Sequence, residues 1–151
     1  MKKTKLTPDI AFFVGFWKMR PTEKGIGVKG GINIQKEFVK LVIDNKFVPP
    51  EKIKVEKNSV TFHHIKYRSE FKKIVENQND IFNKRNRLSS AYLRGIYEST
   101  GIKKEDAVII ENANFKDQML FERLGFYTRL KRKEKELGII NWEKFLEFIR
   151  E

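Results

Sequence analysis

Three groups of residues in this 151-residue chain have the type and spacing to do chemistry. Arg129, Lys131 and Lys133 alternate through residues 126–133, a spacing that places three cations on one face of an extended strand. A polyanion is the partner for such a row. The whole chain agrees, with 32 basic against 20 acidic residues and a formal charge of +12. A solvated Lys/Glu surface would account for 34% charged residues but not for an imbalance of this size. Nucleic acid is therefore expected ahead of a membrane surface. The second group is the glycine-rich segment 25–34, which could cradle a phosphate. It lacks the lysine-serine/threonine ending of a phosphate loop and a clean preceding strand, so it reads as a strand bent or bulged at Gly30-Gly31. The third is His63-His64, but adjacent strand residues face opposite sides and do not bind one metal together. The absence of cysteine excludes disulfides, thiolate zinc sites and cysteine nucleophiles.

The elements that must position these groups are organised around residues 89–101, a short helix with Ser89 as its cap and Gly101 as its stop. Ala91 and Gly95 lie four apart and so share a helical face that lets another backbone come close. Eighty residues earlier, Ala11 and Gly15 repeat that spacing among aromatic and aliphatic neighbours. Matching small-residue stripes suggest two helices packed across a pseudo-two-fold axis at Ala11, Gly15, Ala91 and Gly95. Leu93-Arg-Gly-Ile-Tyr-Glu-Ser-Thr-Gly101 resembles the LAGLIDADG motif of homing endonucleases, and Phe13-Val-Gly-Phe-Trp-Lys-Met-Arg-Pro21 is similar to a more degraded copy.

In chain order, Thr7 or Asp9 can cap a first helix through residues 11–19, which Pro21 ends. A strand follows at 25–34, then a helix at 35–45 with Phe38, Leu41 and Val42 on its apolar face. Residues 52–57 and 59–66 alternate as a hairpin, with Ile53, Val55, Val60, Phe62 and Ile65 as core candidates and a bulge near His63-His64. A helix is expected at 69–78, and the polar stretch 78–88 joins the halves. After the second motif, strands are expected at 107–111, 126–133 and 138–141, with helices at 115–124 and 142–150. This layout over essentially the whole chain resembles the family's. It implies an α+β fold of two pseudo-symmetric αββαββα repeats, with a central motif-helix pair and saddle-shaped antiparallel sheets. One domain over residues 1–151 is expected, with repeat one at about 1–85 and repeat two at about 86–151.

The resemblance also implies a site. In the family each motif helix ends in a carboxylate, and the pair holds divalent metal at the scissile phosphates, because hard cations bind anionic oxygens and activate water. Those positions here are Arg20 and Thr100, a cation and a neutral hydroxyl. Glu98 lies two residues from Thr100, about 200° around an ideal helix, and Glu23 lies beyond Pro21. Glu23 and Glu98 are the candidate substitute ligands. The family's concave sheet face follows the DNA major groove, which makes Lys29, Lys54, His64, Lys66, Arg68, Arg129, Lys131 and Lys133 the expected DNA contacts. Lys73, on the helix after the fourth strand, joins them by resemblance, and Glu147 stands at about the equivalent place in repeat two.

The reading is a monomeric, cytoplasmic, double-stranded DNA-binding protein that lacks cleavage activity and needs no cofactor or metal. The alternative is an active endonuclease using magnesium at Glu23 and Glu98, and the third is an RNA-binding splicing helper of the maturase type. No apolar run reaches the roughly 20 residues of a membrane span. Pro8 and Asp9 interrupt the basic N-terminus before any apolar segment that a signal peptide would need.

Overall fold

Helix α1 (Pro8–Lys18) begins where Thr7 Oγ1 accepts the backbone N–H of Ile10, with Pro8 in the first turn where its missing donor is harmless. The computed structural model describes residues 4–150. Helix α5 (Arg87–Thr100) starts three residues earlier than a Ser89 cap implies. Asn86, not Ser89, is the cap, and the two side chains close a reciprocal capping box. These two helices form the centre of the molecule. A Cβ on Gly15 would fall against the carbonyl oxygen of Tyr92, and one on Gly95 against that of Phe12. The contacts are reciprocal, as a two-fold relation demands, and Ala11 and Ala91 are buried at equivalent positions.

Repeat one continues as β1 (Ile26–Lys29), α2 (Ile32–Asp44), β2 (Lys54–Val55), β3 (Ser59–Phe62), α3 (Ile65–Glu76) and the short α4 (Gln78–Ile81). Repeat two continues from α5 as β4 (Gly101–Lys104), β5 (Ala107–Ile110), α6 (Phe115–Arg123), β6 (Thr128–Lys131), β7 (Glu136–Ile139) and α7 (Trp142–Arg150). The first sheet has the order β1-β3-β2 and the second β4-β5-β7-β6, all antiparallel. Repeat two therefore carries the full αββαββα plan, including β4, for which the sequence analysis names no strand.

In repeat one the counterpart of β4 shrinks to a bridge between Pro21 and Val28, with Thr22 N donating to Gly27 O. Proline has no N–H to extend the ladder, whereas Gly101 at the equivalent place pairs with Ile110.

Several expected boundaries move. The strand expected over 25–34 stops at Lys29, because Gly30 at φ +157° breaks it and Gly31 caps α2. The hairpin's second strand stops at Phe62. His64 is the N-cap of α3, its Nδ1 accepting the Tyr67 N–H at 3.2 Å. This removes the bulge and puts Ile65 on the outside, 92% exposed, while Val55 on an edge strand is 62% exposed. Neither belongs to the core. Val60 and Phe62 do, packed with Phe13, Phe38, Phe47 and Phe71 in an aromatic cluster. Phe121, Phe126, Phe145 and Phe148 form the corresponding cluster of repeat two.

A buried polar group ties the repeats together. The Lys18 ammonium pairs with the Asp117 carboxylate, and both are almost entirely buried. Gln78 sits between them, its Oε1 accepting from Lys18 at 2.9 Å and from the Tyr92 hydroxyl at 2.5 Å, its Nε2 donating to Asp117 at 3.1 Å. Burial, with the Asp117 charge beside it, pushes the Tyr92 hydroxyl well above its ordinary pKa.

Candidate nucleic-acid interface

Each sheet turns one face to the aromatic core and the other outward. In the first sheet the register sets Lys54, Thr61 and Gly27 side by side on the outer face, with Lys29 opposite Ser59. In the second, Ile102, Ile109, Gly138 and Arg129 form one outward row, flanked by Lys104 opposite Ala107 and Lys131 opposite Glu136. Lys29, Lys104, Arg129 and Lys131 are exposed, and among the described residues none has a carboxylate within ion-pair distance. Lys54 pairs with Glu56 at 3.4 Å on the same exposed edge.

The other expected contacts lie elsewhere. Lys133 is in the turn after β6, which ends at Lys131, so the three-residue alternation is cut to two. His64, Lys66 and Arg68 belong to α3 and its cap rather than to a strand. Lys66 lies 3.8 Å from Glu70 one helical turn on, and Arg68 Nε donates to Gly25 O at 3.3 Å. Helix α3 packs through Phe71 on the core side of the sheet, opposite the outward face. Lys73 is exposed on α3. Its neighbour Lys72, with Arg68 and Glu23, lines a cleft of about 350 Å³ beside Trp17 and Pro21.

The two sheets meet at the C-terminal ends of α1 and α5. There Arg20 Nε donates to the carbonyl oxygen of Ser99 at 2.7 Å, and Asn112 Nδ2 donates to that of Met19, also at 2.7 Å. Met19 and Ser99 hold the seventh place in their motif copies, so each helix end is capped by a side chain from the other repeat. The donors are not symmetric. Lys29 N bonds Arg20 O and Glu111 N bonds Thr100 O, which makes Lys29 and Glu111 equivalents, followed by Gly30 and Asn112. Asn112 holds φ +61°, the left-handed conformation asparagine tolerates. A cleft of about 550 Å³ opens here, lined by Arg20, Lys29, Thr100, Glu111, Asn112, Glu134 and Lys135.

Lys104, Asn112, Lys135 and the carboxylates of Glu111 and Glu134 join the site only in the folded structure.

The donors at the helix ends do not fit a divalent metal. Arg20 is itself a cation, and both seventh-position carbonyls are taken by N–H groups. Among the described residues no three His, Cys, Asp or Glu side chains converge to hold an ion. Glu23 and Glu98 do not meet, since Glu98 lines a separate cleft with Phe12, Phe16 and Arg94.

No family profile matches the sequence, and no curated protein matches it either. Solved structures do match over nearly the full length. I-DmoI in complex with DNA and Mn superposes with TM-score 0.63 at 17% identity, covering 97% of this chain and 96% of that one. The N-terminal LAGLIDADG domain of DUF199/WhiA gives TM-score 0.64 at 15% identity, over 99% of this chain and 84% of that one. The fold is that of the LAGLIDADG homing endonucleases. A third match, to a variant of I-DmoI with its target DNA and Mg, has TM-score 0.62 at 18% identity and covers 95% and 94% of the two chains. Within the LAGLIDADG fold, Gly15 and Gly95 form the helix-pair contact, and Arg20 and Thr100 stand at the ends of the two motifs.

Proposed function

We propose that this protein binds double-stranded DNA along the outward faces of its two sheets and does not cut it. The observation that carries the reading is the set of exposed, unpaired cations on the outward strand positions, Lys29, Lys104, Arg129 and Lys131, of which Lys29 also lines the cleft at the helix ends. Cations held on strands, two of them at alternate positions of β6, suit a regular polyanion better than a scattered basic surface does. I-DmoI, with the same fold, has been solved with DNA. The formal charge of +12 supports the same partner.

Absence of cleavage follows from the chemistry at the helix ends. A guanidinium and a neutral hydroxyl replace the acidic pair that the motif resemblance leads one to expect. The seventh-position carbonyls are capped, and the carboxylates that line the cleft, Glu111 and Glu134, are not joined by a third ligating side chain among the described residues. Binding is therefore expected to proceed without divalent metal, by a single chain.

The test is in vitro selection from random duplexes, with the recovered DNA run on a denaturing gel. Enrichment of an intact duplex supports the reading. Metal-dependent nicks would favour the nuclease, and preferential retention of structured RNA over duplex would favour the maturase-like alternative.

A further inference from the structure

We infer that Arg20 is a built-in cation for the phosphate backbone, so that the cleft where the motif helices end is a metal-free phosphate site. The inference rests on the duplex-binding reading and specifies what the centre of that interface does. Helices α1 and α5 both end at this cleft, which Met19, Arg20 and Thr100 line, and the partial negative charge of two helix ends repels a phosphate unless a cation intervenes. Arg20 is placed to intervene. Its Nε is anchored on Ser99 O at 2.7 Å, and Nη1 reaches Lys29 O only at 3.4 Å. The Nη2 donors have no partner among the described residues, and no carboxylate lies within 4.0 Å of the guanidinium.

The guanidinium is thus oriented by one edge and free along another, the geometry that suits two-point recognition of a phosphate. Lys29 and Lys135 line the same cleft from opposite repeats and, with Arg20, outnumber the two carboxylates there, Glu111 and Glu134. Thr100 lines it too, its hydroxyl buried with no hydrogen-bond partner. A cap alone would need only the Nε contact. The unneutralised remainder of the side chain is what points to an anion.

The experiment uses a duplex recovered by selection, in EDTA, with single methylphosphonates stepped across its central base pairs to remove one backbone charge at a time. Wild type is compared with Arg20→Gln, which keeps a donor for Ser99 O but no charge, and with Arg20→Lys. At one or two central positions the neutral linkage should weaken wild-type binding about tenfold or more. The same linkages should leave Arg20→Gln unaffected. Arg20→Gln should itself bind about tenfold more weakly on the unmodified duplex, with the log–log salt slope smaller by about 0.9. Arg20→Lys should recover part of both. Melting curves of the variants separate a binding loss from misfolding, and the methylphosphonate comparison is made within each protein, so altered stability does not mimic it. Central linkages that weaken Arg20→Gln as much as wild type, or a salt slope unchanged by Arg20→Gln, would overturn the phosphate role and leave duplex binding standing. Failure of the wild type to bind any duplex would overturn both.

Discussion

Arg20 and Ser99 meet across the pseudo-two-fold axis, the guanidinium Nε donating to the carbonyl oxygen at 2.7 Å, so that one repeat closes the motif helix of the other. Asn112 makes the reverse contact to Met19. Asn112→Gly removes that second cap while keeping the left-handed backbone. It should cost about 0.5–1.5 kcal/mol, the usual worth of one hydrogen bond. Asn112→Ala should cost about 1–2 kcal/mol more, because Ala is strained at φ +61°. Urea unfolding of the two variants measures the difference. Equal stability of both with wild type would mean that the cap contributes nothing.

The helix pair tolerates no side chain at its crossing. Gly15 and Gly95 each face a carbonyl of the opposite helix, so Gly15→Leu and Gly95→Leu must push the helices apart. Each should lose about 1–3 kcal/mol or more from overpacking. The two losses should be similar because the sites are related by the repeat. Thermal melts check this, and an unchanged melting temperature in either variant would contradict the packing.

Lys18 and Asp117 are a buried ion pair whose halves belong to different repeats. Asp117→Ala strands a buried ammonium and also removes the side chain that closes the α6 capping box with Asn114. A loss of about 3–5 kcal/mol is expected for breaking such a pair. Lys18→Met in the Asp117→Ala background should recover a large part of it, since the stranded charge is then gone. A double variant as unstable as the single one would place the effect in the cap rather than in the charge.

Tyr92 sets an alkaline limit. Its folded pKa lies above the ordinary value of 10.0, so the folded state holds the proton more tightly than the unfolded chain does. Stability from this group is intact below about pH 10 and falls as the pH rises above it, where the unfolded chain ionises first. Tyr92→Phe should flatten that decline while lowering stability at neutral pH through loss of the hydroxyl contact to Gln78. Chemical denaturation at pH 8 and at pH 11 gives both numbers. A decline equally steep in the variant would assign it to other groups.

Much of this architecture was legible because its signals are local and periodic. The spacing of Ala11–Gly15 and Ala91–Gly95 gave the helix pair, and apolar period gave β5, α6 and α7. What escaped depended on partners far away in sequence. Strand β4 consists of Gly101, Ile102 and two lysines, and becomes a strand only because β5 pairs with it. Alternation of neighbouring residues runs on past the end of β3, whereas His64 stops the strand by offering a ring nitrogen as the cap of α3. At the site, the types at Arg20 and Thr100 could be read directly. The cross-repeat caps could not, since nothing local links Asn112 to Met19 or Arg20 to Ser99.

The decisive measurement is equilibrium binding of a selected fluorescent duplex across a salt series, once in EDTA and once in magnesium, with every sample then run on a denaturing gel. If the sheets neutralise roughly 6–10 phosphates, affinity should fall about 10³–10⁵-fold between 50 and 200 mM salt. The EDTA and magnesium curves should differ only by ordinary screening, and both strands should stay full length. A flat salt response would contradict the interface. Magnesium-dependent cuts that disappear in Glu23→Gln, Glu98→Gln or Glu111→Gln would contradict the non-cutting reading.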